Sequence, residues 1–166
     1  MKLTLAIVGL GSNIGDRAAY LAAARAKLQK LFPSDFAASP IYETNALTEG
    51  QDPYLNQVVY FACRETPQDL VRILRGIELL VGRKVREERH ADREIDLDLL
   101  ALGRQVVDED HCKLPHPEMG NRPFVLQPLN DLLPEWRHPI GNWTAGERLS
   151  VFNSADAGSV IKKWEE

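Results

Sequence analysis

The sequence predicts an α+β sandwich in which helices pack on a mostly antiparallel sheet. Strand-like and helical patterns follow one another in the order strand, helix, strand, strand, helix, strand, strand. Two strand–helix units with extra strands on one sheet are typical of a ferredoxin-like sandwich. The chain has 166 residues, of which 44% are hydrophobic and 27% charged, which suits one domain over residues 1–166 with a sizeable core.

The first part of the pattern contains three strands and one helix. The strands are predicted at residues 3–9, 39–44 and 55–64, with a polar loop at 45–53. Asp16 is placed to cap a helix over residues 17–31, and Pro33 prevents its continuation. The predicted inward face of this helix consists of Leu21, Ala24, Leu28 and Leu31.

The second helix has clear boundaries in the sequence. Thr66 suits the cap position and Pro67 the first helical position, and Gly82 is expected to end the helix after Val81. Its predicted inward residues are Leu70, Ile73, Leu74, Ile77 and Val81.

The remainder of the chain is predicted to be strand followed by irregular structure. Residues 95–102 and 105–107 are expected to pair as a hairpin across Gly103 and Arg104. Six prolines between positions 115 and 139 allow only short helices or irregular chain after it. A last edge strand is expected near residues 160–164.

Charge and composition exclude several classes of protein. The net charge of −4 provides no overall basic field for nucleic acid or an anionic membrane. No apolar run approaches the roughly 20 residues of a membrane span, and the first residues lack the cleavage site of a signal peptide. Cys63 and Cys112 form no metal-binding motif and are typical of two reduced thiols, which predicts a cytoplasmic protein.

The segment REIDLDLL places two carboxylates in a strand-like run. In a strand, Asp96 and Asp98 share one face and the apolar residues between them share the other. Their Cα atoms would be about 6.6 Å apart, and two charges at that distance repel by about 2.5 kcal/mol at an effective dielectric near 20. Water on a solvated strand face or a bound cation would offset this repulsion.

The loop before this strand is rich in arginine. Residues 83–93 contain Arg83, Lys84, Arg86, Arg89 and Arg93. Such runs are often salt-bridged surface loops. Basic side chains also clamp phosphate oxygens, and carboxylates hold Mg²⁺ that binds phosphate as well. Together the arginines and the acidic pair therefore indicate a metal–polyphosphate site.

Three other segments carry candidate site residues. GLGSNIGDR is not a dinucleotide fingerprint, because Ile14 occupies the position of the third glycine, and a tight turn between strand and helix is favoured. In YLNQVV, Tyr54 and Asn56 suit a flat heterocycle, with a core tyrosine and a solvated amide as the alternative. In LPHPEMGNRPFVLQPL, the stiff His116 is followed by Arg122 and Phe124, which suits a nucleotide and a ring, or simply a structured loop.

In this order the four segments resemble one family, the 6-hydroxymethyl-7,8-dihydropterin pyrophosphokinases of folate biosynthesis. The matching pieces, GLGSNIGDR, YLNQVV, IDLDLL with its preceding arginines and PHPEMGNRPFVLQPL, span residues 9 to 129. The resemblance implies a ferredoxin-like fold and transfer of the terminal pyrophosphoryl group of ATP to the pterin hydroxymethyl oxygen, releasing AMP. It also implies a monomer whose partners are these small substrates, with neither nucleic acid nor membrane.

The resemblance assigns a role to each matching position. Asp96 and Asp98 match residues that hold two Mg²⁺ ions between the ATP phosphates and the attacking hydroxyl. Arg83 and Arg93 match the catalytic basic residues, which also contact the nucleotide. The other matches are Arg89, His116 and Arg122 toward the nucleotide, and Thr44, Asn45, Leu47, Tyr54, Asn56 and Phe124 toward the pterin. Loops at residues 10–16, 45–53 and 83–93 are expected to close over bound substrates.

The sequence departs from the family pattern just before Arg93. Where the family commonly has an aromatic residue and then Gly-Pro, this chain has His90, Ala91 and Asp92, which changes the stiffness of the loop and adds a negative charge beside the phosphate clamp. Two other functions therefore stay open. One is a different Mg²⁺-dependent nucleotidyl or phosphoryl transferase on the same acidic strand, and the other is a non-catalytic nucleotide-binding module of the same fold. The set of Tyr54, Asn56 and Phe124 favours the pterin enzyme.

Overall fold

A six-stranded sheet forms the centre of the computed structural model, which describes residues 2–45, 50–86, 91–152 and 160–165. The sheet strands are β1 (Thr4–Ser12), β2 (Ala37–Ala38), β3 (Tyr42–Thr44), β4 (Tyr54–Cys63), β5 (Asp96–Leu102) and β8 (Val160–Lys163). A separate hairpin consists of β6 (Val107–Glu109) and β7 (Cys112–Leu114). The helices are α1 (Arg17–Leu31), α2 (Pro67–Val81), α3 (Pro123–Leu132) and α4 (Ala145–Leu149), with a 3₁₀ turn at Met119–Asn121.

The strand order confirms the predicted ferredoxin-like sandwich. The order across the sheet is β5-β1-β4-β3-β8, every described pairing is antiparallel, and β2 adds to β4. Strand β1 is central, because it pairs with β4 along its whole length and with β5 on its other side. Strand β5 therefore lies at one edge of the sheet and β8 at the other.

The two faces of the sheet are covered unequally. Helices α1 and α2 pack on one face, where Leu10, Leu97 and Phe61 belong to the larger hydrophobic core. Helices α3 and α4 cover the other face only in part, over a smaller core that includes Ile7 and Leu100. The ends of β1, β4 and β5 nearest Gly11, Tyr54 and Asp96 stay uncovered on that face.

Both predicted helices begin where their capping residues indicate. The Asp16 side chain accepts a hydrogen bond from Ala19 N, and Thr66 accepts one from Asp69 N. Gly82 ends α2 with a φ of 133°, which a residue with a side chain rarely adopts. None of the described helices is long and apolar enough to cross a bilayer.

One residue of the predicted helix face is in the wrong place. Leu21, Ala24 and Leu28 are buried as expected, but Leu31 is 56% exposed. Phe32, just after the helix, takes the inner position instead and stacks on Phe61 with ring centroids 4.5 Å apart. The predicted strand at 39–44 is also shorter than expected, because it begins only at Tyr42, after Pro40.

The predicted hairpin between residues 95–102 and 105–107 is wrong. The chain does turn at Gly103, which has a φ of 56° and donates its N–H to Leu5 O. However, β5 pairs with β1. The strand after the turn, β6, pairs with β7 instead. The edge strand expected near residues 160–164 is confirmed as β8, paired with β3.

Candidate active site

The uncovered end of the sheet forms a cavity of about 290 Å³. Its floor follows the strand register, in which Gly11 lies between Asp96 on β5 and Asn56 on β4. Gly9 lies beside Asp98 in the next row. Most of the predicted site residues line it, namely Thr44, Asn45, Tyr54, Asn56, Arg93, Asp96, Asp98, His116, Arg122 and Phe124.

Two glycines keep this floor open. The sequence favoured a turn for GLGSNIGDR, but Gly9 and Gly11 lie inside β1, and the turn comes later, at Gly15 with a φ of 74°. A Cβ atom on Gly11 would come within 3.3 Å of Asn56 Oδ1 and 3.5 Å of Tyr54 Cδ1. A side chain at Gly11 would therefore press on the two residues predicted to receive a flat heterocycle.

Asp96 and Asp98 face this cavity from β5, while Leu97 between them is buried on the opposite face. Asp96 Oδ1 accepts hydrogen bonds from Arg83 Nη1 and Arg93 Nη1, each at 3.1 Å. Arg122 Nη1 is 3.9 Å from Asp98 Oδ2. Burial, together with the neighbouring Asp96 carboxylate, raises the pKa of Asp98 to about 7.

The chemistry of this pair fits magnesium carried on a nucleotide better than a closed protein metal site. Within the described residues, no cluster of three or more His, Cys, Asp and Glu side chains is arranged to hold a metal. Mg²⁺ usually binds one or two carboxylates and completes its shell with water and substrate phosphates. Asp96 and Asp98 supply that number of carboxylates on one strand face, with arginines beside them for phosphate oxygens.

Glu78 on α2 is a site residue that the sequence analysis missed. Its carboxylate is almost completely buried and accepts a hydrogen bond from Leu97 N at 2.7 Å. The same carboxylate forms ion pairs with Arg75 at 2.5 Å and with Arg83 at 2.8 Å. Arg75 in turn donates to Leu97 O at 2.9 Å. Burial raises the pKa of Glu78 against the opposing effect of Arg75. The helix thus holds the backbone between the two aspartates and orients Arg83 toward Asp96.

The other end of the cavity is suited to a flat polar ring. Asn56 Nδ2 donates to Thr44 Oγ1 at 2.7 Å, which fixes the amide plane and leaves Oδ1 on the side of Gly11. Tyr54 lies beside it on the same strand face, and burial raises the pKa of its phenol, so that the ring stays neutral. Phe124 reaches the cavity from α3, with the Arg122 guanidinium 5.8 Å from its ring centre.

His116 lies between this cavity and a second one of about 230 Å³. Its backbone N–H donates to Leu100 O, and its Nδ1 accepts from Glu118 N. Burial and the nearby Arg122 lower its pKa to about 4, so the ring is neutral at pH 7. The second cavity is bordered by Asp98 and His116 as well, together with Val71, Arg75 and the β7 residues Cys112, Lys113 and Leu114. The two spaces therefore meet beside the acidic pair.

Three of the predicted site residues are not among the described residues that line the cavity. Arg83 donates a hydrogen bond to Asp96 but does not itself line the cavity. Leu47 and Arg89 lie outside the described residues, as do parts of the two loops expected to close at 45–53 and 83–93. Arg86, an arginine of the same run, instead grips Glu94 with two hydrogen bonds of 2.8 and 2.7 Å, as a structural ion pair would.

Comparison with known proteins gives one consistent result. The model of the family described as 7,8-dihydro-6-hydroxymethylpterin-pyrophosphokinase (HPPK) matches residues 7–134. A Porphyromonas gingivalis protein named 2-amino-4-hydroxy-6-hydroxymethyldihydropteridine pyrophosphokinase is 37% identical over 141 residues, which cover 82% of this chain and 95% of that protein. A Pseudomonas aeruginosa protein of the same name is 38% identical over 136 residues, covering 81% of this chain and 83% of the relative.

Solved structures extend the likeness to the fold. A crystal structure of Plasmodium falciparum HPPK-DHPS with pterin and p-hydroxybenzoate superposes with a TM-score of 0.70 at 14% identity. The match covers 90% of this chain but only 43% of that longer chain. The wild-type structure of the same protein gives a TM-score of 0.69 at 13% identity, covering 90% and 45% of the two chains.

Proposed function

Because the chain belongs to the 7,8-dihydro-6-hydroxymethylpterin-pyrophosphokinase family, we propose that it transfers pyrophosphate from ATP to the hydroxymethyl oxygen of 6-hydroxymethyl-7,8-dihydropterin, and releases AMP. In this reaction the hydroxymethyl oxygen attacks the β-phosphorus, and its O–H bond breaks with release of the proton. The bond from that phosphorus to the oxygen bridging the α-phosphate breaks, and the bridging oxygen leaves with AMP. The observation that carries the proposal is one cavity lined both by an acidic pair with arginines and by two aromatic side chains with an amide.

At the phosphate end, the residues bind and neutralise charge rather than take part in covalent chemistry. Asp96 and Asp98 would hold Mg²⁺, which supplies charge neutralisation and in-line alignment of the phosphates when bound. Arg93, Arg83 and Arg122 already lie within 4 Å of these carboxylates, where they would bind phosphate oxygens. Positioning of this kind is the main contribution of the protein in phosphoryl transfer.

At the other end, the cavity would orient the pterin. Tyr54 and Phe124 supply aromatic surface for its faces, and Asn56 supplies an amide oxygen for its edge. Gly11 lies beneath them and leaves room for a ring. This slot favours the pterin enzyme over a general nucleotidyl transferase built on the same acidic strand.

The nucleoside part of ATP has room in the second cavity. That space opens beside Asp98 and His116 and is lined by apolar Val71 and Leu114 together with polar Lys113. Neutral His116, with its Nδ1 already accepting from Glu118 N, would present a ring N–H there. A nucleotide placed across both cavities would have its phosphates over the acidic pair.

One assay tests the proposal against its alternatives. The protein is mixed with ATP, Mg²⁺ and the hydroxymethyl dihydropterin, and the nucleotide products are separated. AMP that forms only when pterin is present supports the proposal. ADP or free pyrophosphate would indicate the other transferase, and binding of both ligands without any product would indicate a non-catalytic module.

Two variants link the assay to the site. Asp96→Ala should abolish most turnover and keep the fold, because it also removes a repelling carboxylate, whereas Asp69→Ala on the exposed start of α2 is a matched control. Tyr54→Ala should weaken pterin binding and spare ATP binding. Near-normal activity of Asp96→Ala, or equal losses for both ligands with Tyr54→Ala, would contradict these roles.

We further infer a monomer in the cytoplasm that acts without nucleic acid or membrane. The buried free thiols of Cys63 and Cys112 support the cytoplasm, and the net charge of −4 supports the absence of nucleic-acid and membrane binding. Light scattering of the purified protein tests the monomer, and fractionation of expressing cells tests the location.

A further inference from the structure

Asn13 is a buried polar residue at the junction of β1 and α1, and it contacts the segment before β5. It is only 1% exposed. Its backbone N–H donates to Arg93 O at 3.1 Å, and its side-chain Oδ1 accepts from Arg93 N at 2.8 Å. Its Nδ2 donates to Asp92 Oδ1 at 2.8 Å and lies 3.5 Å from Asp52 O. One amide side chain therefore joins three segments that are far apart in the sequence.

These hydrogen bonds fix the backbone of Arg93, and with it the position of the Arg93 Cα atom. The N–H and C=O of Arg93 are both held by Asn13, so the backbone cannot rotate without breaking a buried hydrogen bond. From that position the guanidinium reaches Asp96 Oδ1. Asp96 is itself fixed by the pairing of β5 with Gly11, two residues before Asn13. The positions of Arg93 and Asp96 are thus both fixed by contacts with the end of β1.

Asp92 completes this arrangement by orienting the Asn13 amide. With Nδ2 directed to the Asp92 carboxylate, Oδ1 is left facing Arg93 N. Asp92 is not one of the described residues that line the main cavity, and its Oδ1 accepts from Asn13 instead.

We propose that Asn13 and Asp92 are positioning residues that hold Arg93 in place for the reaction. The proposal rests on the pyrophosphokinase function proposed above. Neither residue needs to touch the substrates, because both act through the Arg93 backbone. Loss of the contact should therefore lower kcat and weaken nucleotide binding while leaving the KM for pterin nearly unchanged.

An exchange of the two side chains gives the sharpest test. Asn13→Asp alone faces Asp92 with a second carboxylate and should lower kcat about ten-fold at pH 8, the loss expected for one buried hydrogen bond. Asp92→Asn alone keeps an acceptor for Asn13 and should have a smaller effect. The double variant has the net charge of the wild type and restores a donor–acceptor pair with its polarity reversed. It should recover kcat to within about three-fold of wild type.

A second measurement does not depend on turnover. Hydrogen exchange at the Arg93 amide, followed by NMR, should be accelerated about ten-fold or more in Asn13→Asp and in Asp92→Ala, since the latter leaves Asn13 free to turn. The double variant should regain protection. Asp69→Asn, the same chemical change in an exposed ion pair at the start of α2, is the matched control and should alter neither quantity.

The outcomes separate this proposal from the one on which it rests. If the wild-type protein makes no AMP, the proposed function is wrong, and the exchange data alone decide whether Asn13 and Asp92 hold Arg93. A double variant as slow as Asn13→Asp overturns the positioning role. An equal rate of hydrogen exchange at the Arg93 amide in wild type and in Asp92→Ala also overturns it. This comparison can still be made if the buried Asn13→Asp substitution prevents folding.

Discussion

Replacement of the buried Glu78 should destabilise the protein by an amount that can be divided between a hydrogen bond and a charge. Glu78→Ala removes the acceptor of Leu97 N–H and the carboxylate beside Arg75 and Arg83. An unsatisfied buried donor costs about 1–3 kcal/mol, and breaking a buried ion pair costs about 3–5 kcal/mol. Because the Arg75 side chain is 45% exposed and Arg83 keeps Asp96, we expect a total near 4 kcal/mol, toward the lower end of the combined range.

Glu78→Gln isolates the charge. The amide keeps an oxygen for Leu97 N–H and loses the ion pairs. Because burial already disfavours the ionised carboxylate and raises the pKa of Glu78, at most about 1 kcal/mol of unfolding free energy should be lost. For a chain of this length, 1 kcal/mol corresponds to about 2–4 °C in Tm. We therefore expect Tm to fall by at most about 4 °C in Glu78→Gln and by about 8–16 °C in Glu78→Ala.

Thermal and urea unfolding followed by circular dichroism measure these differences, with Asp69→Asn as the exposed-carboxylate control, expected within about 0.5 kcal/mol of wild type. Two results would refute the reasoning. A Glu78→Ala protein that melts within about 2 °C of wild type would mean that Glu78 does not hold Leu97 or the arginines. Equal losses for both variants would mean that the Leu97 hydrogen bond contributes nothing beyond the charge.

Four further predictions concern single residues. The imidazole of His116 should titrate near pH 4 when followed by NMR. The free energy of unfolding should decrease as the pH falls from about 6.5 toward 4, because in that range only the unfolded chain binds a proton at this histidine. Glu94, whose pKa is lowered to about 2 by Arg86, stabilises the fold above about pH 4.5, so the stability deficit of Glu94→Gln in urea should shrink as the pH falls toward 2. Gly11→Ala should weaken pterin binding about ten-fold in a fluorescence titration, whereas Gly76→Ala, which has open space in the middle of α2, should raise Tm by about 2–4 °C.

Local signals were sufficient for helices α1 and α2 but not for the strand pairing. Thr66 and Gly82 mark both ends of α2 in the sequence, because capping depends on neighbouring backbone groups alone. The turn at Gly103 was also recognised, but the partner of β5 was not. Strand β1 lies some ninety residues before β5, and the residues beside the turn carry no signal of that pairing. The local sequence was therefore equally compatible with a hairpin.

The site residues that the sequence did not reveal share one property: each acts through contacts with backbone groups that lie far from it in the sequence. Glu78 lies four residues after Leu74 and eight after Leu70, so it falls on the apolar face of α2, and that position is the signal that could have found it. Asn13 had no such signal, because its partners Asp92 and Arg93 come from a segment about eighty residues later. Gly11 was interpreted as part of a turn, since nothing local shows that β1 continues past Gly9 to Ser12.

The capping of Leu97 by Glu78 and Arg75 has a consequence for self-association. Strand β5 is the last strand on its side of the sheet, and an edge strand with free N–H and C=O groups is a template on which another chain can add a strand. At Leu97 both groups are occupied by side chains of α2. The contacts that organise the acidic pair therefore also block intermolecular β-pairing at this point of the edge, and a variant that loses them should aggregate more readily as well as be less stable.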